Sequence, residues 1–142
     1  MINGKNIKIV IVEDDLYYNK ALTKYVETIC ESILFKEHTF EINSFLTAHD
    51  AIEQLDDLTD IMILDYTLVN ETETDVLNGE NVIDEVEKHC PKCKIIVVSA
   101  AQNPAITARV MKRDIYEYID KNINSKNRIG AVLQRAIVSH TR

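Results

Sequence analysis

Short apolar runs alternate along this chain with segments whose apolar residues recur at helical spacing. Five runs predict strands, and they span Ile7 to Val12, Phe40 to Leu46, Ile61 to Leu64, Lys94 to Val98 and Tyr116 to Ile119. The first, third and fourth runs are apolar and rich in β-branched residues, which is typical of parallel strands buried on both faces. In the second run, Phe40, Ile42 and Ser44 alternate with their neighbours.

The segments between the runs predict helices. These span Leu16 to Ile33, a short helix capped by Thr47 that continues through Leu55, Asn78 to His89, Pro104 to about Arg113 with Asn103 as N-cap, and Asn127 to Ser139. The first helix places Leu16, Ala21, Leu22, Tyr25, Val26, Ile29 and Ile33 largely on one side. The third resumes the spacing at Val82, Ile83 and Val86, and the last turns Ile129, Val132, Leu133, Ala136 and Ile137 inward.

Strand and helix therefore alternate five times. This alternation predicts an α/β fold, a parallel five-stranded sheet covered by helices on both faces. Right-handed crossovers favour the flavodoxin-like doubly wound arrangement, with strand order 2-1-3-4-5. No linker or repeat interrupts the pattern, so we expect one domain over residues 1–142 with its core at about 7–139.

Composition narrows the classes of partner. Hydrophobic residues make up 46% and charged residues 27% of the 142 residues, and the net charge is −7. An acidic surface repels phosphate backbones, which argues against direct binding of nucleic acid or of an anionic membrane. The polar N-terminus lacks a signal peptide and no apolar run could span a membrane, so we expect a cytoplasmic protein.

The cysteines and histidines favour structural interpretations. Cys30, Cys90 and Cys93 are an odd number and do not suggest a disulfide framework. Cys90 and Cys93 form a C-x-x-C at a helix C-terminus, where the helix dipole opposes thiolate formation, so a redox or metal role is disfavoured. The histidines show no paired spacing and are expected at the surface; they are His38, His49, His89 and His140.

Polar side chains gather where the predicted strands end. The first strand is followed by Glu13, Asp14 and Asp15, the third by Asp65, the fourth by Ser99 and the fifth by Asp120 and Lys121. In an open parallel sheet these ends share one edge, where ligands bind. Clustered carboxylates call for a cation, and hard oxygen ligands suit Mg²⁺. Together with a hydroxyl and an ammonium, they predict a phosphoryl-transfer site.

The same residues carry a resemblance to a known family. The motifs are IVIVEDD with Glu13 and Asp14, IMILDYTL with Asp65, VVSAA with Ser99, and YEYIDK with Tyr118 and Lys121. In this order the chain resembles a receiver domain of two-component response regulators, CheY-like and without an attached output domain. The resemblance covers nearly the whole chain.

The resemblance implies a role for each residue. Asp65 would accept a phosphoryl group from a histidine kinase or a histidine phosphotransfer protein. Glu13, Asp14, Asp65 and the backbone carbonyl of Thr67 would bind Mg²⁺. Ser99 and Lys121 would hold phosphoryl oxygens, and Tyr118 would act as the switch aromatic. A signalling switch of this kind is not a conventional enzyme.

The resemblance also implies where the signal is read. The face made by the fourth helix, fifth strand and fifth helix would meet a downstream protein or form a homodimer. That face carries Arg109, Lys112, Arg113, Glu117 and Arg135.

Two departures from the family pattern leave alternatives open. Asn122 stands where the family usually has a proline after the lysine, and the acidic stretch Tyr66 to Leu77, with Glu71, Glu73 and Asp75, is longer than usual before Gly79. A degenerate receiver that signals by protein contacts without phosphoryl transfer is one alternative. A phosphatase with an aspartyl nucleophile is another, although such enzymes need a second acid where Thr67 stands. Individually, Asp15 and its neighbours could also be helix-capping acids.

Overall fold

Five parallel strands form one sheet in the computed structural model, which describes residues 4–66, 79–100 and 104–140. The strands are β1 (Asn6–Val12), β2 (Thr39–Phe45), β3 (Ile61–Asp65), β4 (Lys94–Ser99) and β5 (Glu117–Asp120). Their order across the sheet is β2-β1-β3-β4-β5. The flavodoxin-like arrangement and the predicted strand order are confirmed.

Helices cover both faces of this sheet. They are α1 (Leu16–Cys30), α2 (Ala48–Glu53), α3 (Gly79–His89), α4 (Pro104–Met111) and α5 (Ser125–His140), with a short 3₁₀ helix at Ile33–Phe35. One core cluster joins α1 and α5 to the sheet, and a second joins α2, α3 and α4 to its other face. Within the described ranges, no helix is both long and apolar enough to cross a lipid bilayer.

The uninterrupted apolar strands divide their side chains between the two cores. In β3, Ile61 and Ile63 belong to the α1–α5 side, while Met62 and Leu64 belong to the other side. Every residue of β3 is buried. This is why its sequence lacks polar alternation: both faces of a central parallel strand exclude water.

The helix starts follow their predicted caps where the structure describes them. Asp15 accepts a hydrogen bond from the Tyr18 N–H, and Thr47 accepts one from the Asp50 N–H. Both side chains satisfy amides that a helix start leaves unpaired. The predicted N-cap Asn103 and the predicted helix start Asn78 lie outside the described residues.

Several predicted boundaries were wrong. Helix α1 ends at Cys30 instead of Ile33, because Ser32 leaves the helical conformation and caps the 3₁₀ turn through the Leu34 N–H. Helix α2 stops at Glu53 and α4 at Met111, whereas α5 begins at Ser125, two residues before the predicted start.

Some predicted orientations were wrong too. Leu16 and Ala21 of α1 are exposed and Asn19 is buried in their place. Ser44 of β2 is exposed, and β2 is an edge strand of the sheet. The side chain of His38 is 8% exposed, and its Nδ1 accepts a hydrogen bond from the Lys5 N–H, so His38 is not a surface residue.

Candidate functional site

Four strands deliver the predicted polar residues to one edge of the sheet. Val12 pairs with Leu64, and Asp65 pairs with Val98 in the β3–β4 ladder. Ser99 in turn pairs with Asp120, one residue before Lys121. Parallel register therefore places the ends of β1, β3, β4 and β5 side by side, as the sequence predicted.

Three carboxylates meet at this edge. Glu13, Asp14 and Asp65 each offer an oxygen, and these oxygens all lie within 4.8 Å of one another. Glu13 is 2% exposed and Asp65 is 4% exposed, whereas Asp14 is exposed to solvent. The site therefore has a buried floor of two acids and an open acidic rim.

A lysine bridges the two buried acids. Lys121 Nζ lies 2.6 Å from Glu13 Oε1 and 3.3 Å from Asp65 Oδ2. The backbone N–H of Lys121 donates to the Ser99 carbonyl, and its ammonium lies over the Tyr18 ring, 4.3 Å from the centroid. The lysine is thus held by backbone, aromatic and carboxylate partners at once.

Burial dominates the electrostatics of Glu13. It raises the pKa of this carboxyl to about 7, against the opposing hydrogen bonds from the Asp15 N–H and Lys121. Neighbouring Asp65 adds to the rise. Burial would lower the pKa of Lys121, but its contacts with Glu13 and Asp65 together outweigh burial and hold that pKa above its usual value. An acidic cluster of this kind is relieved by a bound cation.

The carboxylates fit a divalent cation. Three hard oxygen donors at one point, one of them open to solvent, suit Mg²⁺, which keeps part of its water shell and binds phosphate oxygens. Thr67, whose carbonyl was predicted as a further ligand, lies outside the described residues, as does the acidic stretch 67–78. A second group, His49, Asp50 and Glu53, also gathers its ligand atoms, but all three residues are exposed on the short α2.

Glu13 is positioned by a residue that the sequence reasoning missed. The buried Asn19 side chain donates to the Glu13 carbonyl at 3.0 Å and to the Phe45 carbonyl at 3.1 Å. The Glu13 N–H donates to the same Phe45 carbonyl, and the Asp15 N–H donates to Glu13 Oε2 at 2.9 Å. The available signal was a polar residue at a core-facing position of an amphipathic helix.

Tyr18 was also missed. Its hydroxyl lies 3.3 Å from the Ser125 hydroxyl, so it links the first turn of α1 to the start of α5 beneath Lys121. Nothing in the local sequence distinguishes this tyrosine from the exposed Tyr17 beside it.

Ser99 and Tyr118 occupy the predicted side of the site. Ser99 is 1% exposed at the end of β4. Tyr118 is half-buried on β5, in register with Val97, and its hydroxyl lies 3.3 Å from the Thr107 hydroxyl of α4. The tyrosine therefore connects β5 to the helix that follows the Ser99 strand.

Asn122 builds the turn that leads into α5. Its Oδ1 accepts from the Asn124 N–H at 2.8 Å, and its carbonyl accepts from both the N–H and the hydroxyl of Ser125. No cis peptide bond occurs in the described residues. A side chain that bonds to the backbone two residues ahead is a standard turn device of Asn, and here it leads directly into α5.

The cysteine pair lies at the opposite end of the sheet. Cys90 and Cys93 are buried and not disulfide-bonded, and the Cys93 N–H donates to the Cys90 carbonyl in the turn after α3. Interaction with Cys93 lowers the pKa of Cys90, while the same interaction and burial raise the pKa of Cys93. The turn precedes Lys94, where β4 begins, whereas the carboxylates gather at the strand ends.

Comparisons with known proteins agree with this geometry. The family model of the response regulator receiver domain matches residues 9–133, while a search of curated proteins finds no match. Among solved structures, a CheY-like receiver domain protein from Methanospirillum hungatei shares 18% identity and a TM-score of 0.66, covering 94% of this chain and 96% of that one.

Two further structures show the same fold. The isolated receiver domain of RcsB from Salmonella enterica, in the presence of the phosphomimetic BeF₃⁻, shares 22% identity with a TM-score of 0.68, covering 92% of this chain and 89% of that one. A receiver domain protein from Clostridium thermocellum shares 16% identity with a TM-score of 0.70, covering 94% and 96% of the respective chains.

Proposed function

The chain belongs to the response regulator receiver domain family, and on that premise we propose that Asp65 accepts a phosphoryl group in a Mg²⁺-dependent reaction. The family consists of signalling switches rather than conventional enzymes. The observation that carries the proposal is the buried Asp65 carboxylate, which contacts Lys121 and lies beside the Glu13 and Asp14 oxygens. A nucleophilic carboxylate, a cation site and a fixed ammonium are the parts that phosphoryl transfer requires.

The reaction assigns a task to each side chain. A carboxylate oxygen of Asp65 attacks the phosphorus of a phosphohistidine. The oxygen–phosphorus bond forms as the phosphorus–nitrogen bond breaks, and the imidazole, already protonated on its other ring nitrogen, takes the electron pair and leaves as the neutral group. Lys121 holds a phosphoryl oxygen with the ammonium that already contacts Asp65, and Ser99 offers its hydroxyl to another. Glu13, Asp14, Asp65 and the Thr67 carbonyl would bind Mg²⁺, which supplies neutralising charge to the phosphoryl oxygens.

Phosphoryl release uses the same residues. Water attacks phosphorus, the bond to Asp65 breaks, and the products are inorganic phosphate and the original carboxylate. Glu13 and Asp65 are buried and Asp14 is exposed, so we expect the attacking water to enter from the open rim beside Asp14.

A phosphodonor protein has apolar surface to contact next to the site. Tyr17, in the first turn of α1, is 84% exposed, and Ile123, two residues after Lys121, is 95% exposed. We propose that these two side chains contribute to the contact with a phosphodonor, a histidine kinase or a histidine phosphotransfer protein.

Ion pairs connect residues of the predicted α4–β5–α5 face. Arg109 and Arg113 pair with carboxylates of α3. Glu117 pairs with Arg128 and Arg135 across β5 and α5. We propose that a downstream protein or a second copy of the chain meets this β5–α5 portion when Ser99 and Tyr118 respond to phosphorylation.

Phosphorylation by acetyl phosphate tests the assignment. With Mg²⁺, wild type should gain one phosphoryl group by intact mass, and Asp65→Asn should gain none. Asp57→Asn, a matched change at an exposed aspartate, should behave like wild type. Equal labelling of Asp65→Asn and wild type would falsify the assignment of Asp65 as the acceptor. Detectable binding of Mg²⁺ without labelling by any donor would favour the degenerate receiver.

A further inference from the structure

Tyr66, the residue directly after the phosphoacceptor, is held by the start of α3. Its hydroxyl donates to Glu80 Oε2 at 3.1 Å. Gly79 lies against its backbone so closely that a Cβ there would lie 2.8 Å from both the Cα and the carbonyl oxygen of Tyr66. The N–H of Tyr66 donates to the Val98 carbonyl. Tyr66 is therefore fixed to β4 on one side and to α3 on the other.

The same glutamate reaches helix α4. Glu80 Oε2, which accepts from Tyr66, is also hydrogen-bonded by Arg109, and Glu80 Oε1 lies 3.7 Å from Arg113. Arg109 lowers the pKa of Glu80, so this carboxylate is ionised at neutral pH. One side chain thus joins the residue after Asp65 to two cations of the α4 region.

Arg113 strengthens this connection along α3. It is 21% exposed and contacts Asp84 at 2.6 Å and Glu87 at 3.0 Å through Nη2. An exposed ion pair alone contributes little, but several charges sharing partners in fixed geometry contribute more. The turn after α4 is therefore bound to three successive carboxylates on one side of α3.

Helix α4 depends on such contacts. It has eight residues, too few to be stable as an isolated helix. Among its described side chains, Val110 is buried, whereas Arg109 and Met111 are exposed. The charged contacts to α3 and the contact between the Thr107 and Tyr118 hydroxyls therefore join α4 to its neighbours.

We propose that Glu80 is a positioning residue that couples the phosphorylation state of Asp65 to the docking of α4, through Tyr66 on one side and Arg109 and Arg113 on the other. This inference rests on the proposed function of Asp65. A phosphoryl group adds bulk and about two negative charges one residue before Tyr66. Displacement of Tyr66 alters its hydrogen bond to Glu80, and Glu80 redistributes its contacts with the two arginines.

The first test uses the unphosphorylated protein. Tyr66→Phe removes one hydroxyl, which is hydrogen-bonded to Glu80 and also interacts with Arg109, so amides of residues 108–111 should exchange with deuterium about fivefold faster. Glu80→Gln should do the same. Tyr17→Phe and Glu85→Gln are matched controls, since Tyr17 is exposed and Glu85 pairs within α3. Wild-type exchange at 108–111 in both Tyr66→Phe and Glu80→Gln would overturn the coupling.

The second test adds the input. Wild type treated with Mg²⁺ and acetyl phosphate, or with Mg²⁺ and BeF₃⁻, should change its exchange at residues 108–111. Glu80→Gln should still acquire the phosphoryl group by intact mass but lose at least about half of that change, while Glu85→Gln keeps it. A full α4 response in phosphorylated Glu80→Gln overturns the proposal. Failure of wild type to be phosphorylated overturns the proposed function of Asp65 instead. The first test then decides only whether Tyr66 and Glu80 help to dock α4 in the unphosphorylated protein.

Discussion

The ammonium of Lys121 lies closer to Glu13 than to Asp65, at 2.6 Å against 3.3 Å. Lys121 follows β5 and Glu13 follows β1, and these strands are separated in the sheet by β3 and β4. The ion pair therefore spans the site above the strand that carries Asp65. A cation held by Glu13 would compete with this contact, which would leave the Lys121 ammonium available to a phosphoryl oxygen.

Removing that ammonium should affect both stability and chemistry. Lys121→Met keeps the length of the side chain but leaves the buried Glu13 and Asp65 without their shared cation. We expect a loss of about 1–3 kcal/mol in the free energy of unfolding, measured by urea denaturation without metal at pH 8. Labelling by acetyl phosphate should slow at least about tenfold. Lys126→Met, at an exposed lysine of α5, should change either quantity little; a comparable loss there would contradict the site-specific interpretation.

Mg²⁺ should stabilise the folded protein through the acidic cluster. At about 100 times its Kd, a cation bound to the native state alone adds about 2.7 kcal/mol, which thermal unfolding measures as a raised midpoint. Asp14→Asn, a change at the exposed rim, should remove most of this shift. Glu53→Gln, in the exposed His49, Asp50 and Glu53 group, should retain it. If Glu53→Gln removes the shift and Asp14→Asn retains it, the cation site lies on α2 instead.

The Asn19 amide should be needed for the shape of the site. Asn19→Leu leaves the buried Glu13 carbonyl without its donor, and we expect a loss of about 1–3 kcal/mol in unfolding free energy. Mg²⁺ affinity should weaken as well, because the loop that carries Glu13 and Asp14 loses the two hydrogen bonds from Asn19 and keeps the bond from the Glu13 N–H to Phe45. Asn127→Leu, at an exposed position of α5, is the matched control. Unchanged stability and Mg²⁺ affinity in Asn19→Leu would show that the amide is dispensable.

The pair of Lys8 and Asp56 should give a defined pH dependence. Their 2.5 Å contact lowers the pKa of Asp56 below its usual 3.8 and raises the pKa of Lys8 above 10.5. The contribution of Asp56 is therefore present above pH 3.8 and is lost as pH falls through its lowered pKa. The contribution of Lys8 is present below pH 10.5 and is lost as pH rises through its raised pKa.

Asp56→Asn measures this contribution. Because the carboxylate is 41% exposed, solvent screening limits the expected loss to about 0.5–1 kcal/mol at pH 7. The difference from wild type should shrink below pH 3.8, as urea denaturation at several pH values would show. Asp57→Asn, at the exposed neighbour, should give no such pH-dependent difference. A difference that is constant from acid to neutral pH would mean that the ion pair is not its source.

Local pattern predicted most of the fold because each signal had one physical cause. Continuous β-branched runs such as Ile61 to Leu64 mark strands buried on both faces, and caps such as Asp15 and Thr47 mark helix starts. The helix ends were predicted less well. Helix α1 ends at Cys30 because Ser32 caps a 3₁₀ turn. That turn buries Phe35 against Phe40 of β2, a contact between segments that local spacing does not reveal.

The sequence by itself determined the strand order, the edge at which Glu13, Asp14, Asp65, Ser99 and Lys121 meet, and the family. The alternation of strands and helices requires parallel strands joined by right-handed crossovers. The carboxyl ends of all the strands must therefore lie at the same edge of the sheet. Tertiary structure alone decided that Lys121 bridges Glu13 and Asp65, that Asn19 holds the Glu13 loop, and that Arg109 and Arg113 face α3. Those contacts depend on distances between side chains that are far apart in the chain, and the local spacing of residue types does not predict such distances.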